Sequence, residues 1–262
     1  MVYCLRSNAP EGRDVKVAAV IPARLHARRF PRKILARETG KYLIEHVYER
    51  VVGCTAVDRV LIATDSDEIV DAARSFGAEA ILTSDQHVSG TDRVAEVARE
   101  LDHDVVINVQ GDEPLVEHVD LTTLVELFEV DGADAPGVVM TTLAAQRSDA
   151  EGFRDPNIVK VVRGESGNAV YFSRAPVPYC ESPEAGVQWL QHIGIYAYRR
   201  QFLLNLATLP PTELEKRERL EQLRVLENGY TLCVGMTNHR HLGIDTPEEY
   251  EKFVHEYLDN KR

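Results

Sequence analysis

Cysteine is scarce and scattered. Cys4, Cys54, Cys180 and Cys233 have no paired spacing, which argues against a disulfide framework and against a cysteine-built zinc site, and leaves four free thiols as the expectation. No apolar run approaches the roughly 18–20 residues needed to cross a bilayer. The amino-terminal stretch MVYCLRSNAPEGRD has no apolar core of the kind a secretory signal carries, so a cytoplasmic protein with no membrane partner is expected. Positive charge is in deficit as well. A formal net charge of -12 opposes the broad phosphate neutralisation on which non-specific nucleic-acid binding depends, and a small anion held in a local basic pocket fits better.

Several signatures are missing. No GxxxxGK[ST] loop occurs, no GxGxxG follows the first apolar run, and there is no GxSxG elbow, which argues against a kinase-type ATPase, a Rossmann dehydrogenase and an α/β-hydrolase respectively. There is no internal repeat and no low-complexity linker. With 44% apolar and 27% charged residues in 262, the chain has the composition of an ordinary globular protein, either one large α/β domain or a core with a smaller insertion.

What is present begins at residues 17–35, VAAVIPARLHARRFPRKIL. An unbroken apolar run is the mark of a buried parallel strand, and here it breaks at Pro22 into a segment holding Arg24, Arg28, Arg29, Arg32 and Lys33. The crevice beyond the carboxyl end of such a strand is where open α/β sheets bind ligands. Arginine forks and a mobile lysine charge suit phosphate; a solvated basic loop is the plainer alternative. An alternation of apolar strand and amphipathic helix follows. Residues 40–52 place Ile44, Val47 and Val51 on one helical face, 57–65 reads as a strand, and 66–77 reads as a helix capped by Ser66 and stopped by Gly77. AEAILT, TDRVAEVARELD and DVVINVQ continue the pattern, which calls for a parallel sheet with right-handed crossovers.

Beyond residue 135 the runs VVMTTL, IVKVV, AVYFS and IGIYAY predict an antiparallel or mixed sheet. Residues 213–228 predict one helix, and Thr246 with Pro247 a conventional helix start before a last helix. The organisation expected is one domain, with a nucleotide-binding core over 15–135 plus 230–262 and a smaller subdomain over 136–229.

A second segment that can carry chemistry is VINVQGDEP at 106–114, where a buried strand runs into Gln110, Gly111, Asp112 and Glu113. Asp112 is either a strand-end magnesium ligand, since magnesium is held by one or two carboxylates plus substrate phosphates, or part of a polar turn. The elements and the missing signatures together fit a transferase that handles a nucleoside triphosphate with side chains and a metal.

The ordered segments IPAR (21–24), RFPRK (29–33), SGTDR (89–93), NVQGDEP (108–114), YFSRAPVPY (171–179), HIGIYAYR (192–199), LEQLRVLENG (220–229) and GIDTPEE (243–249) resemble the CMP-Kdo synthetases, the 3-deoxy-manno-octulosonate (Kdo) cytidylyltransferases. The resemblance spans nearly the whole chain. It implies a glycosyltransferase-A-like nucleotidyltransferase fold, with a mixed, mostly parallel sheet, helices on both faces and a smaller antiparallel dimerisation and acceptor subdomain. It also implies a homodimer, and conversion of CTP plus Kdo to CMP-Kdo and pyrophosphate with Mg2+ as cofactor, in lipopolysaccharide or related surface-glycan synthesis.

Residue roles implied by it are CTP binding by Pro22, Ala23, Arg24, Arg29, Lys33 and Arg93, the last near the cytosine. Asp112 and Asp245 resemble the metal-binding aspartates and, with Lys33, the catalytic set. Gln110, Arg174, His192, Tyr196, Glu221 and Gln222 resemble the sugar-acid contacts, with an arginine for the carboxylate. Apart from the resemblance, His192 reads as a structural histidine and Glu221 as a solvated surface residue. One loop departs from the pattern: relatives have x-x-S-T-R-L-P-G-K-P, whereas here His26, Ala27, Arg28 and Arg32 intervene and Ile34 replaces proline. A cytidylyltransferase for a related ulosonic acid, or a non-catalytic nucleotide- or sugar-binding homologue, are the other functions compatible with the chain.

Overall fold

A computed structural model describes residues 15–26, 29–129 and 137–260; Cys4, and Ala27 and Arg28 of the basic loop, lie outside them. The apolar run at the start is β1 (Val17–Ala23). Its pleat sends Val17, Ala19 and Ile21 to one layer, against Ile44, Val47 and Val51 of α1 (Leu43–Val52), and Ala18 and Val20 to the other. A strand covered on both faces must be apolar at every position, which is why no polar alternation is visible in it. β2 (Arg59–Thr64), α2 (Asp67–Ser75), β3 (Ala80–Leu82), α3 (Gly90–Arg99), β4 (Val105–Asn108) and α4 (His118–Glu126) continue the alternation. β1 pairs in parallel with β2 and β4, and β2 with β3.

The rest of the chain forms β5 (Val138–Arg147), α5 (Ala150–Arg154), β6 (Lys160–Arg163), β7 (Ala169–Ser173), β8 (Trp189–Arg199), α6 (Arg200–Leu206), α7 (Glu213–Glu218), α8 (Gln222–Glu227), β9 (Thr231–Thr237) and α9 (Pro247–Asp259). The sheet runs β3-β2-β1-β4-β8-β5-β9, with β6 and β7 off this path. β8 lies antiparallel to both β4 and β5, and β9 rejoins β5 in parallel.

The expected boundary near residue 135 is therefore not a break in the sheet. β5 and β8 are inner strands of the core, and only the β6–β7 pair stands aside, attached to β8. Their side chains explain it: Leu143, Ile193 and Ile195 enter one apolar layer while Met140, Ala144 and Tyr198 enter the other, so both faces need the cover that the central sheet supplies.

The single helix expected over 213–228 is two. Arg219 adopts φ 56, ψ 47 and ends α7, after which Leu220 is buried and α8 starts at Gln222. The break lets Arg224 reach back to Glu215, with Nε to Oε2 at 2.8 Å, and the pair is almost wholly buried. On a continuous helix, nine residues separate two positions by about 13.5 Å along the axis, so the ion pair requires the turn. Ser66 precedes α2 as expected but makes no side-chain capping bond; its N–H instead donates to Thr64 Oγ1 at 3.2 Å. Thr246 does cap α9, in a reciprocal arrangement with Glu249.

Candidate active site

The carboxyl ends of β1 and β4 open onto two adjoining cavities, of about 290 Å³ and about 440 Å³, which share Gly90 and Gln110 in their walls. The smaller is lined by Pro22, Arg24, Lys33, Gly111 and Asp112, among others. Glycine at 111 is sterically required: a Cβ there would lie 2.9 Å from the Pro22 carbonyl oxygen and 3.3 Å from Ile34 Cδ1, so the chain leaving β4 can pass β1 this closely only without a side chain.

The basic loop folds back on itself before reaching Lys33. Arg32 N–H donates to the Leu25 carbonyl at 3.1 Å, Phe30 packs on Tyr250 with ring centroids 5.6 Å apart, and Ile34 is buried. Arg32 itself sits at φ 61, ψ 19, the left-handed region that glycine enters without steric cost. That accounts for the glycine of the family pattern. The Arg32 guanidinium pairs with Glu68 and is absent from the cavity wall, so it neither replaces a phosphate contact nor obstructs the space.

Lys33 is the centre of the smaller cavity. Its Nζ lies 2.5 Å from Asp112 Oδ2, 2.9 Å from Asp245 Oδ1 and 2.8 Å from the Ile244 carbonyl oxygen. Burial is the largest influence on this ammonium and favours the neutral amine, but the charges and hydrogen bonds of Asp112 and Asp245 outweigh it and hold the lysine above its ordinary range. Arg29, on the exposed rim, donates to Asp245 Oδ2 at 2.5 Å. The two aspartates, remote in sequence, are joined through the backbone as well: Ile244 N–H donates to the Asp112 carbonyl at 2.9 Å. Behind them His241 approaches Glu113 Oε2 at 3.3 Å through Nδ1 and Asp120 Oδ2 at 3.1 Å through Nε2. Burial opposes its charge, yet the two carboxylates prevail and raise it to about 9. A protonated His241 therefore ties the segment after β4 to the segment before α9, and nothing in its sequence context announced this.

Other expected nucleotide ligands are placed differently. Pro22 lines the cavity, whereas Ala23 is buried in the strand behind it. Arg24 lines the cavity, and its Nη2 is a buried donor with no partner among the described residues. Arg93 is wholly buried, donating to Asp65 Oδ2 at 2.5 Å and to Thr83. Here Arg93 is an internal brace between α3 and the end of β2 and is absent from both cavity walls, although its Nε is a buried donor with no partner among the described residues.

The larger cavity has a different character. His192 is buried and lowered to about 3 by that burial, so its ring is neutral. Thr142 Oγ1 lies 3.0 Å and 2.9 Å from the carbonyls of Ile193 and Ile195, and 3.1 Å from His192 Nε2. A hydroxyl has one proton, which a carbonyl takes, so His192 donates through Nε2–H and keeps Nδ1 as an acceptor. Burial likewise pushes the Tyr196 phenol far up. It also raises the Glu221 carboxyl, against the opposing hydrogen bonds of Thr91 and Ser89. Glu221 is thus half-buried in a cavity wall, not the fully solvated residue its charged surroundings in the sequence would suggest. The Gln222 amide nitrogen is a buried donor with no partner among the described residues. Gln110, His192, Tyr196, Glu221 and Gln222 all line this cavity. Arg174 does not: its Nε donates to the Glu218 carbonyl and its Nη1 to the Pro156 carbonyl, both at 2.9 Å. Here the side chain ties β7 to the end of α7 and stands off the wall of the larger cavity.

A charged crevice beside a neutral polar one, on a mixed nucleotide-binding sheet, matches the cytidylyltransferase family, whose model aligns with residues 18–238. A 3-deoxy-manno-octulosonate cytidylyltransferase of Solibacter usitatus is 45% identical over 239 residues, covering 90% of this chain and 92% of the relative. The chain belongs to the 3-deoxy-manno-octulosonate cytidylyltransferase family. The corresponding protein of Geobacter sulfurreducens is 42% identical over 250 residues, covering 92% of this chain and 98% of its own. Among solved structures, a CMP:2-keto-3-deoxy-manno-octonic acid synthetase complexed with CTP superposes with a TM-score of 0.86 at 39% identity, over 94% of this chain and 99% of that one. The inositol-1-phosphate CTP transferase of T. maritima, at 15% identity, a TM-score of 0.66 and coverage of 95% and 97%, shares the fold. The nucleotidyltransferase architecture expected from the sequence is borne out. Among the described residues no helix is long and apolar enough to cross a membrane.

Proposed function

We propose that this enzyme transfers the cytidylyl group of CTP to 3-deoxy-manno-octulosonate, giving CMP-Kdo and pyrophosphate for surface-glycan synthesis. The anomeric hydroxyl oxygen forms a bond to the α-phosphorus as the bond to the bridging oxygen breaks, pyrophosphate leaves with the electron pair, and the hydroxyl proton passes to water. The observation that carries this reading is the convergence of Lys33, Asp112 and Asp245 at a cavity that adjoins, through Gly90 and Gln110, a larger polar one suited to hydroxyls, in a chain so similar to such cytidylyltransferases. Lys33 and Arg24 supply preorganised positive charge to the triphosphate. Gln110 stands where the two substrates meet, and His192, Tyr196 and Gln222 offer neutral donors and acceptors to sugar hydroxyls.

Magnesium fits the donor set. Asp112 and Asp245 already converge on one cation, Lys33, and among the described residues no larger cluster of His, Cys, Asp or Glu could hold a metal alone, which suits an ion completed by phosphate oxygens and water. When bound it would neutralise triphosphate charge and polarise the α-phosphate. A homodimer acting in the cytoplasm, with 136–229 contributing acceptor and dimer contacts, completes the reading; the family resemblance supports it.

Pyrophosphate release, measured with CTP, UTP and ATP crossed against a panel of sugar acids, tests the assignment. CTP with Kdo should give the highest kcat/KM. A higher value with an amino-substituted or nine-carbon ulosonic acid would move the acceptor, and no release with any pair would remove the activity.

A further inference from the structure

Part of the wall of the larger cavity is not sheet or helix but the loop between α5 and β6, which contributes Asn157, Ile158 and Val159. Its carbonyls are nevertheless taken. Lys160 Nζ lies 2.8 Å from the Asp155 carbonyl oxygen, 2.6 Å from that of Ile158 and 2.8 Å from that of Arg174, just past β7. Arg174 in turn donates to the Pro156 carbonyl, and the His192 N–H donates to that of Val159 at 2.9 Å. We propose that Lys160 is a positioning residue for the acceptor: its ammonium fixes the loop over 155–159 as a cavity wall and so sets the affinity for the sugar acid. This inference rests on the sugar-acid reading of the site.

Three observations carry it. First, Lys160 is wholly buried, and its hydrogen bonds among the described residues go to carbonyls and not to a carboxylate. A buried cation without a counter-ion is costly, and burial pulls this one below the ordinary lysine range. An ammonium has three protons to donate, and here each meets one carbonyl, so the charge is balanced by the backbone it holds in place. Second, Lys160 stands where the β6–β7 pair joins the core sheet, opposite Gln191 of β8, and Gln191 and His192 line the same cavity. Third, the turn inside the loop is locked separately: Asp155 Oδ1 accepts from the Asn157 N–H at 2.8 Å and from its Nδ2 at 2.9 Å. Lys160 fixes the ends of a turn whose tip presents Asn157 to the cavity. Without the ammonium, three carbonyls lose their partner beside a space that admits water. The loop can then leave the wall at little cost to the main strand path, from which β6 and β7 stand aside.

The test uses Lys160→Met, which keeps the length of the side chain and removes every donor, and Lys160→Gln, which returns an amide donor. Asp155→Ala frees Asn157 while leaving Lys160 and its three carbonyls in place. Melting temperature and steady-state kinetics are measured for each, with CTP and with the sugar acid that the parent enzyme converts best. In Lys160→Met the KM for the sugar acid should rise about ten- to a hundredfold, as the loss of hydrogen bonds to a charged group commonly gives, while the KM for CTP holds. Lys160→Gln should recover part of that loss, and Asp155→Ala should raise the same KM by less. An unchanged KM for the sugar acid in a folded Lys160→Met, or an equal rise for both substrates, would overturn the role of Lys160 and leave the activity standing. If Lys160→Met does not fold, the other two variants decide: a rise selective for the sugar acid in both supports the role, and an unchanged KM in either overturns it. A parent enzyme that converts no sugar acid overturns the activity and the role together.

Discussion

The two cavities are neighbours that share Gly90 and Gln110, and they solve recognition by opposite means. At the smaller one full charges meet, Lys33 and Arg29 against Asp112 and Asp245, with Arg24 as a further cation in the wall. The larger is a set of groups that burial keeps neutral or pushes toward neutrality: His192, Tyr196 and Glu221. Charge can be exchanged for charge as a triphosphate and its metal arrive, with little change in the electrostatic load. Hydroxyls of a sugar instead need donors and acceptors that do not drag ions out of water. Rate should therefore depend most on the first cavity and acceptor affinity on the second.

The largest expected effect tests that division at its centre. Lys33→Ala leaves two carboxylates facing one another where phosphate charge must be received, and kcat should fall about a hundred- to a thousandfold, read by pyrophosphate release at saturating substrates. A loss confined to the KM for Kdo would erase the distinction between the cavities. Asp112→Asn comes next: activity should fall and the magnesium requirement should rise, with full activity in excess chelator being the result that removes the metal. On the other side, His192→Ala should raise the KM for Kdo about tenfold through loss of one hydrogen-bonding partner and its packing, and CTP titrations should be unchanged. Because His192 is lowered to about 3, no acid limb between pH 5 and 7 should come from it.

A smaller effect concerns pH and the brace behind the charged cavity. His241 is raised to about 9 from an ordinary 6.5, so the folded protein binds a proton there that the unfolded chain gives up first. Its stabilisation is complete below about pH 6.5 and is lost as the pH climbs through 9. Melting temperature should decline over that window, by the equivalent of about 3 kcal/mol, and His241→Gln should flatten the decline. The smallest effect is at Arg32. Arg32→Gly exchanges a left-handed arginine for the residue that conformation favours, and should raise stability by about 1 kcal/mol, partly offset by the lost Glu68 pair and with little change in the KM for CTP.

Local signals carried much of the fold and half of the site. β1 and β4 are legible because a strand buried on both faces has no freedom to be polar, and α9 because Thr246, Pro247 and Glu249 spell out its start. Gln110 and Asp112 follow directly on the end of β4, and Lys33 lies in the basic segment that follows β1, which is why these positions could be singled out in advance. What was hidden depends on partners distant in the chain. The break at Arg219 is set by a buried Arg224–Glu215 pair and by Leu220 turning into the core, neither of which alters the local helix-forming pattern. The burial of Arg93 follows from Asp65 and Thr83 meeting it, and the positions of β5 and β8 from neighbours before and after them in the sequence.

The bond from Ile244 N–H to the Asp112 carbonyl has a wider meaning than its length. It fastens the last segment of the chain to the exit of the fourth strand, and the lysine that bridges both aspartates comes from the first loop. The site is thus a knot tied from the beginning, the middle and the end of the polypeptide, and it exists only once all three have arrived. A partly made or clipped chain lacking the segment from Ile244 onward would keep most of its sheet and yet be silent, and filling the site with nucleotide would lock the two ends of the molecule to its middle by mass action alone.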